Sequence, residues 1–392
     1  IRLWQKMCYT WPYIYKNDVF KLVNDYDFET YFNLESLYEK LSLIDETEYV
    51  SKEIVDDNKK IVFIGDYHSS LHSFLLHIEK WIEKGIMNQN YKISNDYIII
   101  FTGDIVDRGP YGVEILYLLN LLVRCNEVGK IRIIKGNHET PDTYFKYGFN
   151  DEIKNQLNQT NITIITKLIH SLPLALFIKN KSKLKWYMFC HGGLAYPMYK
   201  PTIDNSEIKQ FLNNDTKKHT TSANNYIGFL WGDFSKEIYN DDLESINDRC
   251  IHNTGRTNDP LLGIEICPSS FIQNVLDNNN IISIISGHQD KTTFGFLYRN
   301  NRDCDGDVNI QDNINDIYFQ DNKQLCSRNN NRNGNYRYDM NDILCFVLSS
   351  AVIPKFRTIH HRNINYTISF GILNLLEDTS EIILIETDFI TP

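Results

Sequence analysis

The sequence predicts an α/β chain in which a largely parallel sheet leads into a second sheet of mixed or antiparallel character. Three observations predict it. From residue 60 short apolar runs alternate with helical stretches, which is the texture of βαβ units. Later apolar runs follow one another with fewer helices between them. Several of these runs end in a polar block holding Asp, Asn or His, and in open α/β sheets the strand ends form the ligand crevice.

The bulk properties narrow the class. A chain of 392 residues has room for two domains or for one large domain with insertions. With 42% hydrophobic and 13% aromatic residues it can build a real core. A formal charge of -10 argues against a nucleic-acid partner bound by phosphate neutralisation. No stretch reaches the roughly 18 to 20 apolar residues of a membrane span, and the first residues show no signal-peptide pattern. Neither a nucleic acid nor a membrane is therefore expected as partner. The eight cysteines contain no CxxC pair, so reduced structural thiols are expected, in a reducing compartment such as cytoplasm or nucleus.

Taken in order, residues 1–58 read as an N-terminal helical extension, with Leu34, Leu37, Tyr38 and Leu41 on one face behind a cap at Asn33. The main domain is expected over 59–392. Strands are expected at 61–66, 97–101 and 131–136, with helices at 70–84 and 111–124 between them. Further strands are expected at 184–190, 281–286, 343–348 and 381–388. Residues 300–341, dense in Asn, Asp and Arg, read as a polar surface insertion.

The polar blocks share a chemical character. "GDYHSS" holds Asp66 and His68, "GDIVDRG" holds Asp104, Asp107 and Arg108, and "GNHE" holds Asn137, His138 and Glu139. "HGG" holds His191 and "GHQ" holds His288. Carboxylate, imidazole and amide oxygen suit a pair of borderline to hard divalent cations such as Mn, Fe or Zn. Glycine before Asp66, Asp104, Asn137 and His288 is expected to let the backbone turn sharply at each strand end.

"GDYHS", "GDIVDRG", "GNHE", "HGGL" and "GHQ", in this order, resemble the signature of the phosphoprotein phosphatase family of serine/threonine phosphatases, within the calcineurin-like metallophosphoesterases. The resemblance covers residues 60 to about 390. It implies a central β-sandwich flanked by helices, with a dinuclear metal site at the strand ends. It assigns Asp66 and His68 to one metal, Asp104 to both, and Asn137, His191 and His288 to the second. His138 resembles the general acid, Asp107 the carboxylate that orients it, and Arg108 one of two phosphate-binding arginines. "NTGRTNDPLLG" favours Arg256 as the other, with Arg249 in "INDRC" as its competitor, and "FLWGDF" resembles the family segment just upstream.

The expected chemistry follows. Two metals about 3.5 to 4 Å apart make a shared water acidic enough to serve as hydroxide and clamp the phosphoryl oxygens for in-line attack. The arginines make bidentate contacts to phosphate, and His138, aimed by Asp107, protonates the departing alkoxide. A phosphoprotein is the implied substrate, and a regulatory subunit is compatible with the resemblance. Beside this stand two alternatives: a dinucleoside polyphosphate or other small phosphoester hydrolase of the same fold, and a non-catalytic binding module. "HGGLAYP" resembles the protein-phosphatase form of its block more than the His-Ala-Gly form of the dinucleotide hydrolases, and a module would be expected to have lost a ligand.

Some positions depart from the pattern. Ser69 stands for a glycine, Ser286 and Gly287 precede His288, and "LSSAVIPKF" (348–356) lacks the tyrosine expected beside the substrate. Within the insertion, "NRDCDGDVNIQD" (301–312) has the spacing of a calcium loop, with Asn301, Asp303, Asp305, Gly306, Val308 and Asp312 at its characteristic positions. The other account of it is a solvated acidic loop.

Overall fold

The computed structural model describes residues 34–44, 48–199, 202–220, 226–235, 248–254, 256–258, 261, 263–289, 294–301, 326–327, 334–350 and 367–386. Its strands in chain order are β1 (Tyr49–Val55), β2 (Lys60–Ile64), β3 (Tyr97–Phe101), β4 (Ile131–Ile133), β5 (Ala175–Asn180), β6 (Trp186–Cys190), β7 (Lys218–Thr220), β8 (Asp233–Ser235) and β9 (Ile251–His252). Then come β10 (Glu265–Pro268), β11 (Ile281–Ser286), β12 (Phe294–Tyr298), β13 (Cys326–Ser327), β14 (Gly334–Asp339), β15 (Ile343–Leu348), β16 (Thr367–Asn374) and β17 (Thr379–Glu386). They form an eight-stranded sheet in the order β13-β12-β15-β11-β6-β5-β1-β7 and a six-stranded sheet in the order β14-β17-β16-β2-β3-β4. A small third sheet has the order β8-β10-β9.

The two large sheets face each other through an apolar layer. Ile61 and Phe63 of β2 and Ile98 and Ile100 of β3 meet Phe189 of β6, Ile285 of β11 and Phe346 of β15. Phe63 lies edge-on to Phe189 and to Phe346, with ring centroids 6.5 and 6.0 Å apart. The strands alternate because each buries both faces: the other side of β2 and β3 carries Val62, Ile64, Ile99 and Phe101 into a cluster with the helices Leu71–Glu83 and Gly112–Cys125. Helix Ser269–Asn278 packs Phe271, Ile272, Val275 and Leu276 on the outer face of the eight-stranded sheet. The result is the expected sandwich with helices on both sides, and β2, β3 and β4 are parallel neighbours as the alternation predicted.

Two expectations need correction. Helix Leu34–Leu41 forms, burying Leu37 and Leu41, but Tyr49–Val55, expected within a helical extension, is a strand parallel to β5 in the eight-stranded sheet. Its Tyr-Val start and Ile-Val end supply β-branched and aromatic material that the helical pattern upstream obscured. At the other end, Gly334–Asp339, expected within the polar insertion, is an edge strand on β17: Tyr336 and Tyr338 pack towards the sandwich while Asn335 and Arg337 face outwards. Within the insertion, residues 302–325, with the calcium-loop positions from 302 on, and 328–333 lie outside the described residues, as does most of "LSSAVIPKF".

A further correction concerns the cysteines. Cys250 and Cys267 form a disulfide, whereas Cys125, Cys190 and Cys345 are free. The pairing is dictated by register, since β9 and β10 run antiparallel with Ile251 opposite Ile266, and a sequence spacing of 17 carries no sign of it. The cysteine count therefore gives no argument for a reducing compartment. No helix among the described residues is long and apolar enough to cross a membrane.

Candidate metal centre

The ends of five strands from both large sheets converge. Asp66 and His68 follow β2, Asp104 follows β3, Asn137 follows β4, His191 follows β6 and His288 follows β11. All six are buried. Two loops touch where the glycines stand: Gly103 has φ +99, and a Cβ on it would lie 2.5 Å from the backbone of Gly136. A Cβ on Gly287 would run into the Asp66 carboxylate. The sharp turn foreseen for these glycines thus holds at Gly103, while Gly287 is needed for close approach. His68, Asp104, Asp107, Arg108 and His288 themselves adopt left-handed backbone, with φ between 45 and 70°.

Asp104 sits at the middle. Its Oδ2 lies 3.4 Å from His68 Nε2, and its Oδ1 lies 3.2 Å from His191 Nε2. Around His191 Nε2 are also Asn137 Oδ1 at 2.9 Å and His288 Nδ1 at 3.3 Å, while Asp66 Oδ1 is 3.8 Å from His191 Nδ1. Two three-residue groups, Asp66 with Asp104 and His191, and His68 with Asp104 and His138, each bring ligand atoms within 4.8 Å of one another, and Asp104 belongs to both. Ring orientation is fixed from behind: His191 Nδ1 is 3.0 Å from the Thr102 carbonyl and His68 Nδ1 is 3.3 Å from that of Val106, so each ring turns Nε2 towards Asp104.

The electrostatics suit a cation. Burial depresses the His68 and His288 imidazoles well below the usual range, helped by Arg108 and Arg256 respectively, which favours neutral, ligating rings. Burial also pulls His191 down, but Asp104, Asp66 and Glu139 outweigh it and push it up to about 9. Burial would raise the Asp104 carboxyl, yet the three facing imidazoles hold it well below the usual carboxylate range. The negative field that favours a proton on His191 is one that a divalent cation would use. The donor set gives a further test: Asn137 Oδ1 at 2.9 Å, His288 Nδ1 at 3.3 Å and Asp104 Oδ1 at 3.2 Å all crowd on His191 Nε2 in a buried site. Lone pairs pointed at one another in a dry site are costly unless a cation stands among them, so these residues fit a divalent metal pair.

Beside the ligands lies a second constellation. His138 Nδ1 is 2.8 Å from Asp107 Oδ2, and the other Asp107 oxygen accepts from the Phe149 amide at 2.7 Å. Arg108 Nη2 is 3.3 Å from His138 Nε2, and the Tyr147 ring lies 5.0 Å from the His138 ring. Arg256 stands beside His288: its Nε and Nη2 grip the two oxygens of buried Asp233 at 2.9 and 2.8 Å, and Nη2 is 3.4 Å from the His288 carbonyl. Arg249 is exposed, and Arg256 is the arginine brought beside His288. All ten residues expected in the site are therefore gathered at one edge of the sandwich.

Sequence reasoning assigned no part to three further residues. Glu139 accepts from the amides of Gly136, Asp104, Ile105 and Val106, at 2.7 to 3.3 Å, and so ties the loop after β4 to the loop after β3. Burial and the nearby Asp104 push its carboxyl up to about 7. Asp233, in "WGDF", anchors Arg256, and Tyr147 walls His138. For Glu139 and Asp233 the available signal was a charged residue in a glycine-containing block, "GNHE" and "WGDF"; for Tyr147, at the end of helix Pro141–Tyr147, the sequence offered none.

The calcineurin-like phosphoesterase family model matches residues 59–291, so the chain belongs to the calcineurin-like phosphoesterase family. Within it, the resemblance is to serine/threonine-protein phosphatases. The chain is 28% identical over 201 residues to the serine/threonine-protein phosphatase 4 catalytic subunit of Kluyveromyces lactis, covering 51% of this chain and 58% of that protein. Against the protein of the same name from Saccharomyces cerevisiae it is 32% identical over 175 residues, 44% of this chain and 49% of the other. The chain thus spans about half the length of these relatives. A Saccharomyces cerevisiae protein serine/threonine phosphatase described as similar to human phosphatase PP5 superposes with a TM-score of 0.54 at 17% identity, covering 91% of this chain and 88% of that one, which bears on the fold alone.

Proposed function

We propose that this chain is a metal-dependent serine/threonine protein phosphatase that hydrolyses phosphomonoesters on phosphoproteins. The observation that carries the reading is the single carboxylate, Asp104, shared by two ligand groups and flanked by the Asp107–His138–Arg108 series. In this reading, which takes its partition from the sequence resemblance, Asp66, His68 and Asp104 hold one divalent cation, and Asp104, Asn137, His191 and His288 hold a second, with Mn, Fe or Zn fitting the donor set. When bound, such a pair supplies Lewis acidity and a water acidic enough to act as nucleophile near neutral pH.

The chain's own residues do the rest. Arg108, beside His138, and Arg256, beside His288, grip phosphate oxygens and hold the ester in line. Asp107 keeps Nδ1 of His138 protonated and its ring fixed, so Nε2 delivers a proton to the leaving alkoxide oxygen. Sequence similarity to named serine/threonine phosphatases supports a phosphoprotein substrate, and a regulatory subunit and a cytoplasmic or nuclear location are compatible with it. We further take residues 59–392 together with β1 as the catalytic unit, because β1 is a member of the eight-stranded sheet.

The test compares phosphate release from a phosphothreonine peptide and from diadenosine tetraphosphate, with manganese present and His138→Asn as blank. Peptide turnover well above the blank with little on the dinucleotide is expected. The reverse preference would transfer the site to small phosphoesters, and no turnover of either would leave a binding module.

A further inference from the structure

The loop that carries Arg256 is closed at its base by a covalent bond. Cys250 stands one residue before β9 and Cys267 lies in β10, and the two are joined in a disulfide. Between them the chain runs out and back. The Asn253 amide nitrogen donates to the Ile264 carbonyl at 2.9 Å, its side chain donates to Asp233 at 2.5 Å, and the Arg256 backbone nitrogen donates to the Asn253 carbonyl at 3.0 Å. Asp233, which holds the guanidinium, belongs to β8, and β8 is the parallel neighbour of β10.

The strand that needs holding is short. β9 has two residues and pairs with β10 at two positions only. A two-residue ladder is weak by itself, and closing the loop between the strands costs entropy that a cross-link removes from the open ensemble. We propose that the Cys250–Cys267 disulfide positions Arg256, so that the affinity of the site for phosphate depends on the thiol–disulfide state of this pair. The inference rests on the reading of Arg256 as a phosphate-gripping residue.

Access is asymmetric: Cys250 is half-buried and Cys267 is buried. A dithiol reductant would therefore attack at Cys250. One thiolate of the dithiol bonds to Cys250 Sγ and expels Cys267 as thiolate. Its second thiolate then displaces Cys250, so two electrons and two protons pass to the protein and the reductant leaves as its own disulfide. In a reducing compartment such a bond is of the transient, redox-sensing kind, and in an oxidising one it is permanent.

The experiment uses the full chain loaded with manganese. Inhibition by inorganic phosphate, and KM and kcat on p-nitrophenyl phosphate, are measured before and after treatment with dithiothreitol, with alkylation and mass spectrometry reporting the state of Cys250 and Cys267. The Cys250→Ser/Cys267→Ser variant is run in parallel to remove any effect of the dithiol on the metals. Expected is a weakening of phosphate inhibition and a rise in KM by about tenfold on reduction, the worth of one charge-assisted hydrogen bond, with a smaller change in kcat. The serine variant is expected to show the weakened values with or without dithiol. Unchanged phosphate inhibition in wild-type protein whose two cysteines are shown to be reduced would overturn the proposal, as would free thiols at both positions in air-purified protein. Arg256→Ala separates the two layers: if it leaves phosphate inhibition unchanged, the reading of Arg256 fails, whereas if it weakens inhibition and reduction does not, only the latch fails.

Discussion

At the scale of single residues, the site divides by what each group does to a proton or a cation. His138 touches Asp107 and Arg108 and lies 3.9 Å from Asp104. His138→Asn is expected to lower turnover by about 10²- to 10⁴-fold with metal content near wild type; turnover close to wild type would remove the acid role. Asp104 is common to both ligand groups, so Asp104→Asn is expected to lose metal, read by elemental analysis of the purified variant. That these residues would meet was legible because they arrive as blocks at strand ends. Asp233 and Glu139 were not, because their work is to bond backbone amides or another side chain, and such partners appear only when distant loops meet. Arg256 could be preferred over Arg249 from spacing, but its anchoring by Asp233 is a tertiary fact.

Elements extend the same lesson. Helix Leu71–Glu83 follows the first ligand block and buries His77 between Tyr67, Trp81 and Phe370, with His77 Nδ1 hydrogen-bonded to the Tyr67 hydroxyl. Burial pulls the His77 imidazole down to about 3, whereas in the unfolded chain it titrates near 6.5. Below that value the unfolded state takes up a proton that the native state refuses. The His77 contribution to stability is therefore complete above about pH 6.5 and declines as the pH falls towards 3, by about 2 kcal/mol at pH 5. Urea unfolding at pH 7 and pH 5 checks this, and His77→Gln is expected to shrink the difference between the two midpoints. The helical periodicity of this stretch was plain in the sequence. The strand β1 was not, because a seven-residue run with charges at Lys52 and Glu53 lacks the continuous apolar signature of its parallel neighbours. Lys52 is nevertheless buried, donating to the carbonyls of Phe211 and Asn214.

For the whole molecule, the sandwich is what brings β2, β3 and β4 of one sheet to the same edge as β6 and β11 of the other. Phe63, at 0% exposure and in contact with rings from the opposite sheet, fastens the two layers. Phe63→Ala is expected to cost about 3 to 5 kcal/mol in denaturant unfolding, and a loss below about 1 kcal/mol would mean that the layers repack without it. The sequence announced two kinds of sheet, but the order of fourteen strands in two layers was beyond it, since which strands neighbour one another is decided by long-range packing. The left-handed backbone at His68, Asp104, Asp107, Arg108 and His288 has a further consequence for how this chain can change. Each such residue is held against its own preference, at a cost of about 1 to 3 kcal/mol. In a screen for heat-resistant variants carried out without regard to turnover, replacements at these five positions by glycine or asparagine would be among the first to accumulate. The most durable descendants of this protein would then be the ones with the least chemistry left.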